Sequence, residues 1–303
     1  MLSKKYLMSI VKNKFVYAAL LLVQLYLPRT CFSQNIDLCN RADNSSKIVV
    51  AGGSITEILF LLEKQKQIVA LDVTSNYPNE TKNYPSIGYV RNLSTEGVMS
   101  MSPELILAED DIGPPSVVNQ IKSLGVDFRI IEEEASSDGV IEKIRCISKI
   151  VDKEKEAEKI INNQLKPQIK KLEKNRKKIE SKKIKGMLVL SMRGTSPIIA
   201  GGNTSGNSYM QMVGLENIFK DIDGWKSITI ESIIELNPDY VIFPNKEMHK
   251  SSDVNNLKEN PFFKNTKAGK NNNFIYDDGM AVLGFGPRTI TSALNTTKKI
   301  LDF

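Results

Sequence analysis

One histidine, His249, and one tryptophan stand in a chain of 303 residues. A single imidazole cannot build a His-rich zinc or manganese site, and a catalytic triad would have to rest on His249 alone, in a stretch of Asn, Lys and Ser. There is no G-x-S-x-G and no Walker A loop, and the run AGGNTSGNS at 200–208 lacks the spacing and downstream acid of a dinucleotide fingerprint. Asp277 and Asp278 are neighbours in sequence, an arrangement that more often ends a strand than forms a catalytic dyad. The expectation is a protein that is not an enzyme. The apolar run FVYAALLLVQLYL at 15–27 has 13 residues, too few to span a bilayer comfortably. Lys4, Lys5, Lys12 and Lys14 precede it, and Pro28 and a small polar stretch follow, which is the pattern of a secretory signal peptide cleaved near Ser33. An uncleaved N-terminal anchor is the alternative. Pro28 and Arg29 spoil the approach to Cys31 that a lipoprotein signal requires.

The formal charge of +6 comes largely from that segment. Removing residues 1–33 takes away five of the 41 basic residues and none of the 35 acidic ones, leaving a net charge of about +1. Nucleic-acid binding and a polybasic membrane surface thereby lose their main compositional support. Of three cysteines, Cys39 and Cys146 remain in the exported chain, where they can form a disulfide or stay as two thiols.

The rest of the chain alternates strand-like and helix-like segments, which implies α/β layers. KIVVA at 47–51 enters Gly52-Gly53-Ser54, after which Ile55, Ile58, Leu59 and Leu62 recur at helical spacing. Ser54 reads as the N-cap of that helix and Glu57 as its capping-box partner. From 153 to 183 an apolar stripe of Ile160, Ile161, Leu165, Ile169, Leu172 and Ile179 runs through dense charge. This predicts a long solvated helix, with a kink at Pro167, bridging two lobes. The predicted division is a signal peptide at 1–33, an N-terminal α/β lobe at 34–152, a connecting helix at 153–183 and a C-terminal α/β lobe at 184–303.

The two lobes echo each other. LSTEGVMSMSPELILA at 93–108 parallels ITIESIIELNPDYVIF at 228–243, each with a capping Ser or Thr two residues before a Glu and a Pro seven residues after it. Ser94 and Thr229 cap short helices, and Glu96 and Glu231 sit in first turns where the helix dipole favours them. A cleft between such lobes is the natural ligand site, with loops 52–56, 84–92, 191–206 and 277–288 converging on it.

GYVRNLSTEGVMSMSPELILA (88–108), SPIIAGGNTSGNSYMQMVGLENIF (196–219), ITIESIIELNPDYVIF (228–243) and DDGMAVLGFGPR (277–288) occur in that order. Together they make the chain resemble the haem-binding periplasmic solute-binding proteins of bacterial ABC haem importers. The resemblance implies an α/β fold of two Rossmann-like lobes joined by a single long helix, the class III periplasmic-binding-protein fold. It implies a monomer in the periplasm that carries haem b as cargo and delivers it to a permease. Tyr89 is the expected axial ligand of ferric iron, as tyrosinate, with Arg91 favouring the phenolate. Gly53, Ser54, Arg288, Arg193 and Met192 are further candidate ligand contacts. Some family members carry a histidine ligand where this chain reads Ser191-Met192-Arg193-Gly194, so the iron is expected to be five-coordinate, with a Met192 sulfur as the alternative. Glu96 and Glu231 match the residues that meet the ABC permease dimer in related importers. A ferric-siderophore or cobalamin carrier of the same fold is the second reading, and an exported α/β enzyme the third.

Overall fold

A computed structural model describes residues 38–192, 196–245 and 257–301. The signal-peptide reading, Arg193 and His249 lie outside the described residues.

The first sheet is entirely parallel. Its strands β1 (Ile48–Ala51), β2 (Ile68–Leu71), β3 (Leu105–Glu109) and β4 (Asp127–Ile131) lie in the order β2-β1-β3-β4. Strands β1 and β3 are buried along their whole length, which is why they read as continuous apolar runs rather than alternations. Parallel pairing puts the carboxyl ends of all four on one edge, and the strand order reverses between β1 and β3. The loops that leave that edge carry Gly52, Asp72 and Asp111.

The helical segment after β4 (Ser137–Ile150) is followed by a long one made of Glu154–Ile160, a π turn at Ile161–Leu165, and Lys166–Ser181. The distortion precedes Pro167. A proline has no N–H to offer the preceding turn, and the chain widens to bonds of five residues, with the Lys166 N–H donating to the Ile161 carbonyl. Cys39 and Cys146 are joined as a disulfide, which ties the N-terminal arm to the helix Ser137–Ile150.

The second sheet is mixed. Strands β5 (Lys185–Ser191), β6 (Ile198–Ala200), β7 (Glu216–Asn217), β8 (Trp225–Ser227), β9 (Tyr240–Phe243) and β10 (Phe274–Tyr276) run in the order β10-β9-β5-β6-β8, with β7 beside the start of β5. β9 and β10 continue β5 in parallel, whereas β6 runs antiparallel to both of its neighbours, β5 and β8. The internal echo is thus confined to the short capped helices Thr95–Met99 and Ile230–Leu236 and the strands after them. Ser94 accepts from the Gly97 N–H and Thr229 from the Ser232 N–H, as the capping pattern predicts.

One apolar core runs through both lobes. It joins Ile48, Ile55 and Leu107 of the first lobe to Leu165 and Leu172 of the long helix and to Tyr209, Ile242 and Ile290 of the second. The final helix, Pro287–Ile300, packs along the long helix and reaches the first lobe's helix Gly53–Leu61. Separate clusters fill the outer face of each sheet.

Candidate functional site

Residues 86–93 are arranged by a simple alternation of anchors. Ile87, Val90 and Leu93 are buried in the first lobe's outer cluster, so Tyr89, Arg91 and Asn92 are turned outward. Gly88 carries a φ of 92°, a left-handed conformation that L side chains rarely adopt, and its carbonyl accepts from the Val73 N–H at 2.9 Å. The turn so formed leaves Tyr89 44% exposed. Val73 beside it is 59% exposed and Tyr77, further along the same loop, 46%. Three large side chains open to solvent on two adjoining loops make an apolar rim.

Arg91 does not stand free. Its Nε and a terminal nitrogen donate to Asp111 Oδ2 at 2.8 and 2.7 Å, and this hydrogen bond raises the guanidinium pKa above its ordinary value, with Tyr89 adding to the effect through its charge. Asp111 was not singled out by the sequence. It lies 20 residues away in a polar loop, and only the pairing of β1 with β3 brings it to the site.

The floor between the lobes is held by a cross-lobe ion pair. Arg288, at the start of the final helix, donates to Glu57 Oε1 at 2.6 and 2.9 Å and to Asp278 Oδ1 at 3.0 Å. Burial raises the Glu57 pKa, against the pull of Arg288. Burial also opposes the charge on Arg288, but Glu57 and Asp278 outweigh it and its pKa rises. The Tyr77 ring lies 3.9 Å from the guanidinium carbon, so a first-lobe aromatic stacks on a second-lobe cation. The glycines here serve close approach. A Cβ on Gly53 would lie 2.6 Å from the Met280 methyl and 2.8 Å from the Thr74 carbonyl, and one on Gly286 would crowd Ser54 and Glu57.

Beneath the floor lies a second polar group. Ser54 donates through its N–H and its hydroxyl to Glu109 Oε1, at 3.0 and 2.6 Å. Lys143 donates to the Ser54 hydroxyl at 3.0 Å and to Glu133. Burial pushes the Glu109 pKa up to about 7, partly offset by the Lys143 charge and the Ser54 hydrogen bonds. The capping reading of Ser54 is therefore corrected. The helix begins at Gly53 with Gly52 as its cap residue and no side-chain cap; Ser54 is spoken for by Glu109, and Glu57 by Arg288.

Val73, Thr74 and Tyr77 thus link Tyr89, Arg91 and Arg288 along one rim, whereas Gly53 is buried beneath it against Met280 and the Thr74 carbonyl. Ser54 sits beneath it, 1% exposed. Met192, at the end of β5, packs against the second lobe's outer cluster, while Leu190 two residues earlier is 38% exposed. Glu96 and Glu231 are both exposed in the first turns of their short helices, and hydrogen bonds from its own backbone and from Thr229 lower the Glu231 pKa. Among the described residues no group of three or more His, Cys, Asp and Glu is placed to hold a metal, and no helix is long and apolar enough to cross a membrane. Val73, Tyr77 and Asp111 are site residues that sequence reasoning missed.

These features define a class: a two-lobed α/β binding protein with loops gathered at the carboxyl edge of its sheets. The chain belongs to the periplasmic binding protein family, whose model matches residues 48–281. It is similar to the periplasmic heme-binding protein RhuT from Roseiflexus sp. RS-1, with a TM-score of 0.74 and 28% identity, covering 86% of this chain and 99% of that one. The periplasmic heme-binding protein HutB of Vibrio cholerae gives a TM-score of 0.74 and 29% identity over 85% and 99%. By sequence the chain is 26% identical to the uncharacterized ABC transporter substrate-binding lipoprotein YvrC of Bacillus subtilis (strain 168), over 65% of this chain and 62% of that protein's length. It is 20% identical to the vitamin B12-binding protein of Pectobacterium atrosepticum, over 70% and 76%. This is a family of binding proteins that work outside the cytoplasm.

Proposed function

We propose that this protein is a periplasmic haem carrier that holds ferric haem between its lobes and delivers it to an inner-membrane ABC permease. The likeness to RhuT and HutB, over nearly their whole length, carries the reading. It is supported by a chemistry suited to that cargo. A phenol with an ordinary pKa near ~10 must lose its proton to ligate iron, and both Fe(III) and a neighbouring guanidinium favour the anion. Tyr89 is exposed two residues from Arg91, a cation held by Asp111, and tyrosine is an established kind of haem ligand. Val73 and Tyr77 offer apolar surface to a porphyrin face, and Arg288 a cation to its propionates. The cargo is haem b, the iron is five-coordinate, and Glu96 and Glu231 contact arginines of the permease dimer. Such exposed pairs are individually weak, which suits a complex that forms and releases.

The vitamin B12-binding relatives favour a cobalamin carrier as the second reading. Titration of the purified protein with haemin separates the two. A shifted Soret band with high-spin Fe(III)-tyrosinate features in the wild type, lost in Tyr89→Phe, is expected; a wild type that leaves the haemin spectrum unchanged but binds cyanocobalamin refutes the haem reading.

A further inference from the structure

The long helix has two chemically different halves. In its first turns Glu154, Glu156 and Glu158 alternate with lysines, and Lys153 and Arg145 pair with Glu156 and Glu158. That is how a face that merely keeps a helix solvated is built, with both signs interleaved so that neighbours attract. From Lys166 onward the arrangement changes. Ile169, Leu172 and Ile179 are buried against the body, and on the opposite side stand Lys166, Lys170, Lys171, Lys174, Lys177, Lys178 and Lys182, all exposed.

At 100° per residue those seven lysines span about 160° of the helix surface, centred roughly opposite the buried stripe. The exposed acids of the segment, Glu173 and Glu180, fall on the flank, and Glu180 is already paired with Arg176. Among the described residues of this helix, none that falls within the lysine arc is acidic. Six pairs among these lysines are three or four residues apart, a spacing at which like charges repel and weaken the helix. The arc is about 24 Å long at 1.5 Å per residue. The final helix widens it: Thr297 accepts from Asn175 at 3.0 Å and is followed by the exposed Lys298 and Lys299.

We propose that this lysine face is a docking surface for an anionic phospholipid bilayer. The charge is complementary to a sheet of phosphate headgroups, and it is spread over an elongated convex ridge. Such a ridge can lie along a plane of headgroups and meet many of them at once. Lysine, a hydrated point charge on a flexible stem, suits delocalised attraction to many headgroups. A near-zero net charge does not argue against this, because the field at a surface depends on how charge is segregated. The idea goes beyond the haem reading but fits it, since a carrier held at the bilayer searches for its permease in two dimensions.

The test is co-sedimentation of the exported chain with vesicles of phosphatidylcholine alone or with 30% phosphatidylglycerol added. The expected result is binding to the anionic vesicles at about 50 mM salt, its loss at about 0.5 M, and a fall of at least about tenfold in the triple variant Lys170→Gln, Lys174→Gln, Lys177→Gln. The control triple variant Lys258→Gln, Lys264→Gln, Lys270→Gln should bind as the wild type does. Equal binding to neutral vesicles, retained binding in the ridge variant, or tighter binding to a 30-base-pair duplex than to vesicles would each overturn the proposal. Haemin titration of the same variants keeps the two readings apart: unchanged haemin binding with vesicle binding lost isolates the ridge, whereas a wild type that binds vesicles but not haemin refutes only the haem carrier.

Discussion

Glu109 offers the sharpest measurable consequence of the buried network under the cleft. It is 9% exposed, it accepts two hydrogen bonds from Ser54, and burial pushes its pKa up to about 7 from 4.5. Between those two pH values the folded protein keeps a proton that the unfolded chain has released, so this group's stabilisation is complete below pH 4.5 and fades as pH rises through 7. The slope is about 1.4 kcal/mol per pH unit, and the span gives about 3 kcal/mol in all. Glu109→Gln removes the titration while its amide oxygen still accepts from Ser54. Urea unfolding of both proteins from pH 4.5 to 8 should show the variant gaining about 3 kcal/mol relative to wild type across that interval, with unchanged m-values. In melting temperature this is a relative shift of about 6 to 12 °C. A difference that stays flat with pH would refute the reasoning, because it would mean that Lys143 and Ser54 outweigh burial and keep the carboxylate ionised.

Arg288→Met should lower stability by about 3 to 5 kcal/mol by leaving Glu57, 5% exposed on its side chain, as an uncompensated buried charge. The loss should be smaller at pH 4.5 than at pH 8, since Glu57 can take up a proton, and thermal melts at the two pH values check this. Replacing Cys39 and Cys146 together by Ser opens a cross-link spanning 107 residues and should cost about 4 to 5 kcal/mol in urea unfolding. Asp111→Asn takes away the carboxylate that holds Arg91, leaving more of its charge for Tyr89. The acid midpoint for loss of bound haemin should then move down by about half a pH unit to one unit, and an unmoved midpoint would show that Arg91 does not act on the ligand.

Local patterns in the chain foretold local structure well. The strand-like runs at 47–51 and 104–108 fall within a residue of β1 and β3, Ser94 and Thr229 cap as their spacing predicts, and the kink expected at Pro167 has its counterpart in the π turn just before it; all rest on interactions within a few residues. Where the reading of Ser54 and Glu57 failed, the competing partners were distant: Glu109 lies 55 residues from Ser54, and Arg288 lies 231 from Glu57. A capping box was chemically sound for that segment alone, but two stronger acceptor and donor groups arrive only when the chain has folded. Tyr77 escaped notice for the same reason. Nothing in SNYPNE marks a tyrosine that will cover an arginine from the other lobe. The lysine face was hidden differently, because summing charge over the sequence discards the direction in which each side chain points.

The cross-lobe contacts bear on how such a molecule tells an empty state from a loaded one. With Arg288 pinned to Glu57, Tyr77 laid over it, and backbone from each lobe pressed against the other at Gly53 and Gly286, the two halves share one foundation. A jaw hinged at that floor would have to tear a buried ion pair apart at every cycle. A receptor that distinguishes the two states would therefore have to sense the lips of the cleft, where Tyr89 and Val73 are exposed, instead of the angle between its halves.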